Sequence, residues 1–165
     1  MRLLFLILVS LLPSSAYSLD FSLPKMNGEP GEVFNSEDNR GVYVLEFFFN
    51  GCPYCHENEP NIEALSKEFS SDPVHVLDIG RDCRNSDYKA WISRHPTSRP
   101  VLKDCQQDLI SRFQVSPYPT TIVIDCSGNV VSRKTGAMSS GEYHDLVSLI
   151  RSASDSCVRE RPLSN

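Results

Sequence analysis

Gly51-Cys52-Pro53-Tyr54-Cys55-His56 is the stretch whose reading decides the fold. Its two thiols stand three apart, directly after the apolar run Val42-Tyr43-Val44-Leu45-Glu46-Phe47-Phe48-Phe49 and directly before a segment with helical spacing. Cys52 then falls at a helix N-cap, and Pro53 at the first helical position, where its missing N–H costs nothing. The unpaired N–H groups and dipole of a helix start favour an anion. A Cys52 thiolate is stabilised there and becomes a nucleophile near neutral pH. One turn later, Cys55 is placed to close a disulfide onto Cys52. One sulfur attacks and the second resolves, which is the machinery of thiol–disulfide exchange. Pro53, Tyr54 and His56 are the residues placed to tune the couple, His56 through its protonation. Glu57 and Glu59 either oppose a thiolate or form a solvated helix face.

Outward from this junction, residues 42–49 read as a buried central strand. Residues 53–70 read as a helix with Ile62, Leu65 and Phe69 on one face and Pro60 kinking it. A strand follows at 74–79, and a helix at 86–95 with Ser86 as its N-cap. A short strand at 100–102, a short helix at 108–115, a strand at 120–125 and a hairpin partner at 130–134 come next. The last helix spans 140–153, with Tyr143, Leu146, Val147 and Ile150 on one face. Residues 19–39 are turn-rich and read as a short strand or hairpin covering one edge, and 154–165 as a flexible tail. This order predicts an α/β fold, a mostly parallel central sheet with helices on both sides and an added antiparallel hairpin.

The chain has 165 residues, enough for one domain with its own core. With 40% hydrophobic and 22% charged residues and a net charge of −5, it carries no basic footprint for nucleic acid. Residues 1–18 read as a secretory leader. Arg2 supplies the positive start, 3–12 the apolar run, and Ala16-Tyr17-Ser18 the small residues of a cleavage site after Ser18. The run is shorter than the ~20 residues a membrane span requires, so no span remains after processing. In an oxidising compartment, the six cysteines read as disulfides.

Further features share one pattern: Asp20-Phe21-Ser22-Leu23-Pro24-Lys25-Met26-Asn27-Gly28, Glu46 before the thiols, Pro60 after them, Ser116-Pro117-Tyr118-Pro119-Thr120-Thr121, Ile124-Asp125-Cys126-Ser127-Gly128-Asn129-Val130, Gly136, and a strand–helix unit over 78–104. Together with the Cys pair they resemble the thioredoxin superfamily, within it the exported branch that includes the TlpA and ResA proteins. Phe47-Phe48-Phe49-Asn50 stands where many relatives carry Trp, and the Pro-Tyr dipeptide is similar to glutaredoxins. The resemblance implies a thioredoxin-like central mixed β-sheet flanked by helices over 19–153, with an N-terminal extension and an inserted strand–helix unit. It implies a buried Glu46 that takes the Cys55 proton, and a cis Pro119 beside the thiols, with Tyr118 offering its backbone to a substrate strand.

The expected function is an exported thiol–disulfide oxidoreductase needing no cofactor and no metal, a reductase ahead of an oxidase or isomerase. Its partners are cysteine-containing exported proteins and an upstream thiol protein, its default state a monomer, and its location through the resemblance a bacterial periplasm. Two alternatives stand beside it: a c-type haem carrier using Cys52-x-x-Cys55-His56, and a binding module that uses the fold without its thiols. Cys83 and Cys105 each follow a parallel strand, while Cys126 and Cys157 belong at the opposite end of the sheet. Cys83–Cys105 and Cys126–Cys157 disulfides are therefore expected, the rival being that one of these cysteines is a second redox relay.

Overall fold

A computed structural model describes residues 19–160, so the leader assigned to 1–18 and the end of the tail, 161–165, lie outside the described residues. In chain order the elements are β1 (Ser22–Pro24), β2 (Val33–Asn35), a 3-10 turn (Ser36–Asp38), β3 (Val42–Phe48), α1 (Pro53–Glu68), β4 (Val74–Gly80), α2 (Asn85–Arg94), β5 (Val101–Lys103), α3 (Asp108–Arg112), β6 (Thr120–Ile124), β7 (Val130–Thr135) and α4 (Ser140–Glu160).

Every residue of β3 is buried, and the strand is apolar on both faces apart from Glu46. Such a strand needs helices on both sides of its sheet. Tyr43, Leu45 and Phe47 pack with Leu77, Ile79, Ile122 and Ile124 against Leu109 and Ile110 of α3. Val42 and Val44 face the other way, onto Ile62 and Leu65 of α1 and Leu146 and Ile150 of α4. The main sheet runs β5-β4-β3-β6-β7, with β3, β4 and β5 parallel and β6 and β7 antiparallel to their neighbours. This is the mixed, thioredoxin-like sheet that the sequence implies.

The N-terminal extension pairs β1 with β2 and then crosses to β5. Met26 N–H donates to the Val101 carbonyl at 2.7 Å, and the Asn27 side chain accepts from Val101 N–H at 3.0 Å. These bonds cover an edge strand that would otherwise offer unpaired backbone groups to another chain. Among the described residues no helix is long and apolar enough to cross a membrane.

Several boundaries differ from the sequence reading; the helix expected over 108–115, for one, ends at Arg112. α2 begins at Asn85, with Arg84 rather than Ser86 at the N-cap; the Arg84–Asp87 ion pair at 2.9 Å spans its first turn. The tail expected from residue 154 is helical as far as Glu160. The polar run Ser154-Asp155-Ser156 hides a continued stripe, in which Ile150, Ser154 and Cys157 are all buried and Cys157 is bonded to Cys126.

Candidate active site

Cys52 is the N-cap of α1, in extended conformation, and Pro53 follows at the first helical position. The Cys52 sulfur accepts the Cys55 N–H at 3.1 Å, and the Cys52 carbonyl accepts from His56 N–H at 3.2 Å. A backbone donor aimed at the sulfur and the positive end of a sixteen-residue helix both favour negative charge on Cys52. Cys52 and Cys55 are joined by a disulfide, with Cα atoms 5.2 Å apart. They are only 3% and 2% exposed, seated against Phe48, Tyr88, Trp91 and Val101. Tyr54, between them, is 64% exposed.

The mouth of this cluster is built from three loops. Tyr118, followed by a cis peptide bond to the buried Pro119, packs against the cysteine cluster and meets the Phe49 ring edge-on at 5.5 Å. The Arg81 guanidinium lies over both rings, 5.3 Å from Tyr118 and 5.5 Å from Phe49. Asp82 accepts the Asn50 N–H at 2.7 Å. Gly80 allows this approach, because a Cβ there would meet the Tyr88 ring at 2.5 Å. The Tyr88 hydroxyl donates to the Gly80 and Asp82 carbonyls at 2.6 and 2.9 Å and so fixes the loop.

Glu46 lies beneath, 3% exposed on the α1 face of β3. It accepts from Asn58 Nδ2 at 2.9 Å and from Thr121 Oγ1 at 2.6 Å. Asn58 is one turn after Cys55 on the same helix, so Glu46 is tied to the helix that carries both thiols. Burial pushes the Glu46 carboxyl up to about 7, against the lowering effect of its two hydrogen bonds. A carboxyl poised there exchanges a proton near neutrality.

Asp78 stands opposite Glu46 on β4 and is fully buried. Burial raises its pKa, and the neighbouring Arg99 opposes that rise. The Arg99 guanidinium bonds Asp78 at 3.0 Å, Glu59 at 2.7 Å and Glu63 at 2.5 Å. Glu59 is therefore buried, a correction to its reading as part of a solvated helix face. The sequence reading missed Asp78, Arg99, His95 and Arg81. Asp78 left a usable signal, as a lone acid inside Val74-His75-Val76-Leu77-Asp78-Ile79, which calls for either a buried cation or a hydrogen-bonded, protonated carboxyl.

His56 Nε2 lies 2.8 Å from both the Asn50 carbonyl and Arg94 Nη1, and its Nδ1 lies 2.7 Å from His95 Nε2. Its ring packs on Trp91 at 4.8 Å. Burial lowers the His95 pKa, partly offset by Glu59 3.5 Å away. The remaining cysteines form two bonds, Cys83–Cys105 and Cys126–Cys157.

The sequence profile of the AhpC/TSA family matches residues 17–133. The thiol-disulfide oxidoreductase ResA of Halalkalibacterium halodurans is 27% identical over 142 residues, covering 86% of this chain and 80% of that protein. ResA of Bacillus subtilis is also 27% identical, over 80% of this chain and 73% of its own length. Among solved structures, a thiol:disulfide interchange protein of the thioredoxin family from Chlorobium tepidum superposes with a TM-score of 0.68 at 24% identity, covering 79% and 92% of the two chains. The exposed lipoprotein thioredoxin Etrx1 of Streptococcus pneumoniae superposes at 0.66 with 25% identity, covering 79% and 98%. With most of its length matched and its paired cysteines at the strand–helix junction, this chain belongs to the AhpC/TSA family of thioredoxin-like proteins.

Proposed function

We propose that this thiol–disulfide oxidoreductase is an exported reductase that keeps cysteines of other exported proteins in the thiol state. The observation that carries the reading is the N-cap placement of Cys52, with the Cys55 amide on its sulfur and a buried Glu46 tied to the same helix. In the reduced protein, the Cys52 thiolate attacks a partner disulfide, forming a mixed disulfide and releasing one partner thiolate. The Cys55 thiol gives its proton to the Glu46 carboxylate and attacks the Cys52 sulfur. The second partner thiolate leaves, and the Cys52–Cys55 disulfide remains. Two electrons have passed to the partner, and an upstream dithiol protein restores them.

Tyr118 and Pro119 hold the substrate strand beside the thiols, while Pro53 and Tyr54 shape access. Charge supports this direction. Among the described residues the hydrogen-bond donor to the Cys52 sulfur is one backbone amide, and the His56 ring faces away from it, with Nδ1 beside His95 and Nε2 within reach of either the Asn50 carbonyl or Arg94. A thiolate stabilised only this far leaves the disulfide form favoured, which makes the dithiol a reductant. The same engagement of His56 counts against its use as a haem ligand. The leader read at residues 1–18 and the likeness to Etrx1, an exposed lipoprotein, support export, and a bacterial periplasm is the location in keeping with it.

The test is mixed-disulfide capture. Cys55→Ser, mixed with a disulfide-bonded exported protein, accumulates a covalent complex through Cys52 that dithiothreitol releases; Cys52→Ser does not. Equal capture by both variants, or by neither, contradicts the assignment of nucleophile and resolving thiol.

A further inference from the structure

We propose that Cys83–Cys105 is a second redox centre, at which partner dithiols exchange electrons with the protein independently of Cys52–Cys55. The three disulfides differ in which sulfur a nucleophile reaches and which sulfur must leave. Cys52 and Cys55 are both buried, so the first centre is guarded by its mouth. Cys126 is exposed, but attack on it expels Cys157, which is buried against the second core. Unlike the Cys52–Cys55 pair at the start of α1, Cys157 lies in the last turn of α4, where burial and the negative end of the helix both make a thiolate a poor leaving group. Cys83 is exposed and Cys105 is half-exposed, so attack on Cys83 releases a thiolate that water reaches.

Position and local charge add to this. Cys83 follows β4 and Cys105 follows β5, on the same end of the sheet as Cys52 after β3. Cys83 is two residues from Arg81, which lies over Tyr118 and Phe49, and adjoins Asp82, which holds the Asn50 amide. The loop that carries Cys83 thus also contributes to the mouth at Tyr118 and Asn50. Arg81 lies two residues before Cys83, and a cation favours a thiolate; Arg84, which follows Cys83, is paired with Asp87. Of the nearby carboxylates, Asp82 is engaged by Asn50 N–H, Asp87 by Arg84, and Asp104 by the amides of Asp108 and Ile110.

The loops also hold their places without the sulfur bridge. Asp104 N–H donates to the Gly80 carbonyl at 2.8 Å, Lys103 bonds Asn85 at 2.9 Å, and the Tyr88 hydroxyl holds the chain at Asp82. Opening the bond leaves a local framework in which it can close again. The step balances. One thiolate of a partner dithiol bonds to the Cys83 sulfur and Cys105 leaves as thiolate; the second partner thiol then displaces Cys83. The partner is oxidised to a disulfide, and Cys83 and Cys105 take up its two electrons and, at neutral pH, its protons.

The test is a site-resolved redox titration of the processed protein, residues 19–165. It is equilibrated in glutathione buffers of stepped composition, trapped with a maleimide and digested for peptide mapping. The expected result is label at Cys83 and Cys105 in buffers that leave Cys126 and Cys157 unlabelled and the far-ultraviolet circular dichroism unchanged. Label reaching Cys83 and Cys105 only together with Cys126 and Cys157, or never, overturns the proposal. Failure of Cys52 and Cys55 to label, with Cys83 and Cys105 labelled, would instead remove the reading of the first centre and leave this one standing. As a functional arm, the reduced Cys52→Ser/Cys55→Ser chain still reduces a disulfide-bonded peptide at least tenfold faster than glutathione alone, and a further Cys83→Ser change abolishes this; a rate equal to glutathione alone contradicts the proposal.

Discussion

Replacing Glu46 by Gln tests the buried acid through stability, without assuming anything about substrates. Gln keeps the shape of the side chain. Its Oε1 can accept from Asn58 Nδ2, and its amide can donate to Thr121 Oγ1, a hydroxyl free to accept as well as donate. What changes is the proton. The Glu46 carboxyl sits near 4.5 in the unfolded chain and is raised by burial to about 7 in the fold. Between these values the native state binds more protons than the unfolded state, so stability falls as pH rises through that window. Below pH 4.5 the carboxyl is protonated in both states and costs nothing extra. Above about pH 7 it is ionised in both, and the full penalty applies. A difference of 2.5 pH units corresponds to about 3 kcal/mol. Gln never ionises and escapes this penalty. The stability of Glu46→Gln minus that of the native sequence should therefore rise by about 3 kcal/mol between pH 4 and pH 8, groups that do not interact with Glu46 cancelling in the difference. Urea unfolding measures it, read by the fluorescence of the single Trp91, which stacks on Phe48 at 4.1 Å. A difference that is flat with pH, or that moves in favour of Glu46 as pH rises, refutes the raised carboxyl and with it the proton acceptor for Cys55.

Three further outcomes follow from other parts of the molecule. Arg99→Met leaves Asp78 and Glu59 buried without their cation, and should cost about 3–5 kcal/mol in urea unfolding at neutral pH. That deficit should shrink as pH falls and Asp78 protonates; a loss below about 1 kcal/mol would mean the network is not held as described. Cys126→Ala/Cys157→Ala opens a disulfide of sequence separation 31 and should cost roughly 3–4 kcal/mol by loop-closure entropy. Hydrogen exchange in the same variant should speed up first at residues 154–160, and unchanged protection there would show the helix end to be independent of the bond. Tyr54→Ala removes an exposed ring and should alter stability by no more than about 0.5 kcal/mol while slowing exchange with folded protein substrates; a large stability loss would place Tyr54 in the packing instead.

The legible parts of this fold are those with local physics. The strand Val42–Phe48, the Cys-Pro step that starts α1, and the Asp125-Cys126-Ser127-Gly128-Asn129 turn each carry their signal within a few residues. The element order then restricts the sheet to a few topologies, and the mixed five-stranded sheet is one of them. The less legible parts depend on residues far apart in sequence. Arg99 meets Glu59, Glu63 and Asp78 only because α1, β4 and the lead into β5 converge, so Glu59 looked like a surface charge. His56 reads as a tuning residue for its neighbour Cys55; that its ring also meets Trp91, Arg94 and His95 of the distant α2 region is not legible from the sequence. The end of α4 is hidden by composition: Ser154-Asp155-Ser156 reads as a tail, although the expected Cys126–Cys157 bond already requires the chain to be held at Cys157, and the helix continues through it.

The measurement that tests the central claim most directly is the reduction potential of the Cys52–Cys55 couple in the processed protein, from glutathione equilibration with site-resolved thiol trapping. The account predicts a two-electron couple nearer to that of thioredoxin, about −270 mV, than to that of DsbA, about −120 mV. A Cys52–Cys55 pair that stays oxidised throughout the titration, or one that titrates near −120 mV, contradicts it.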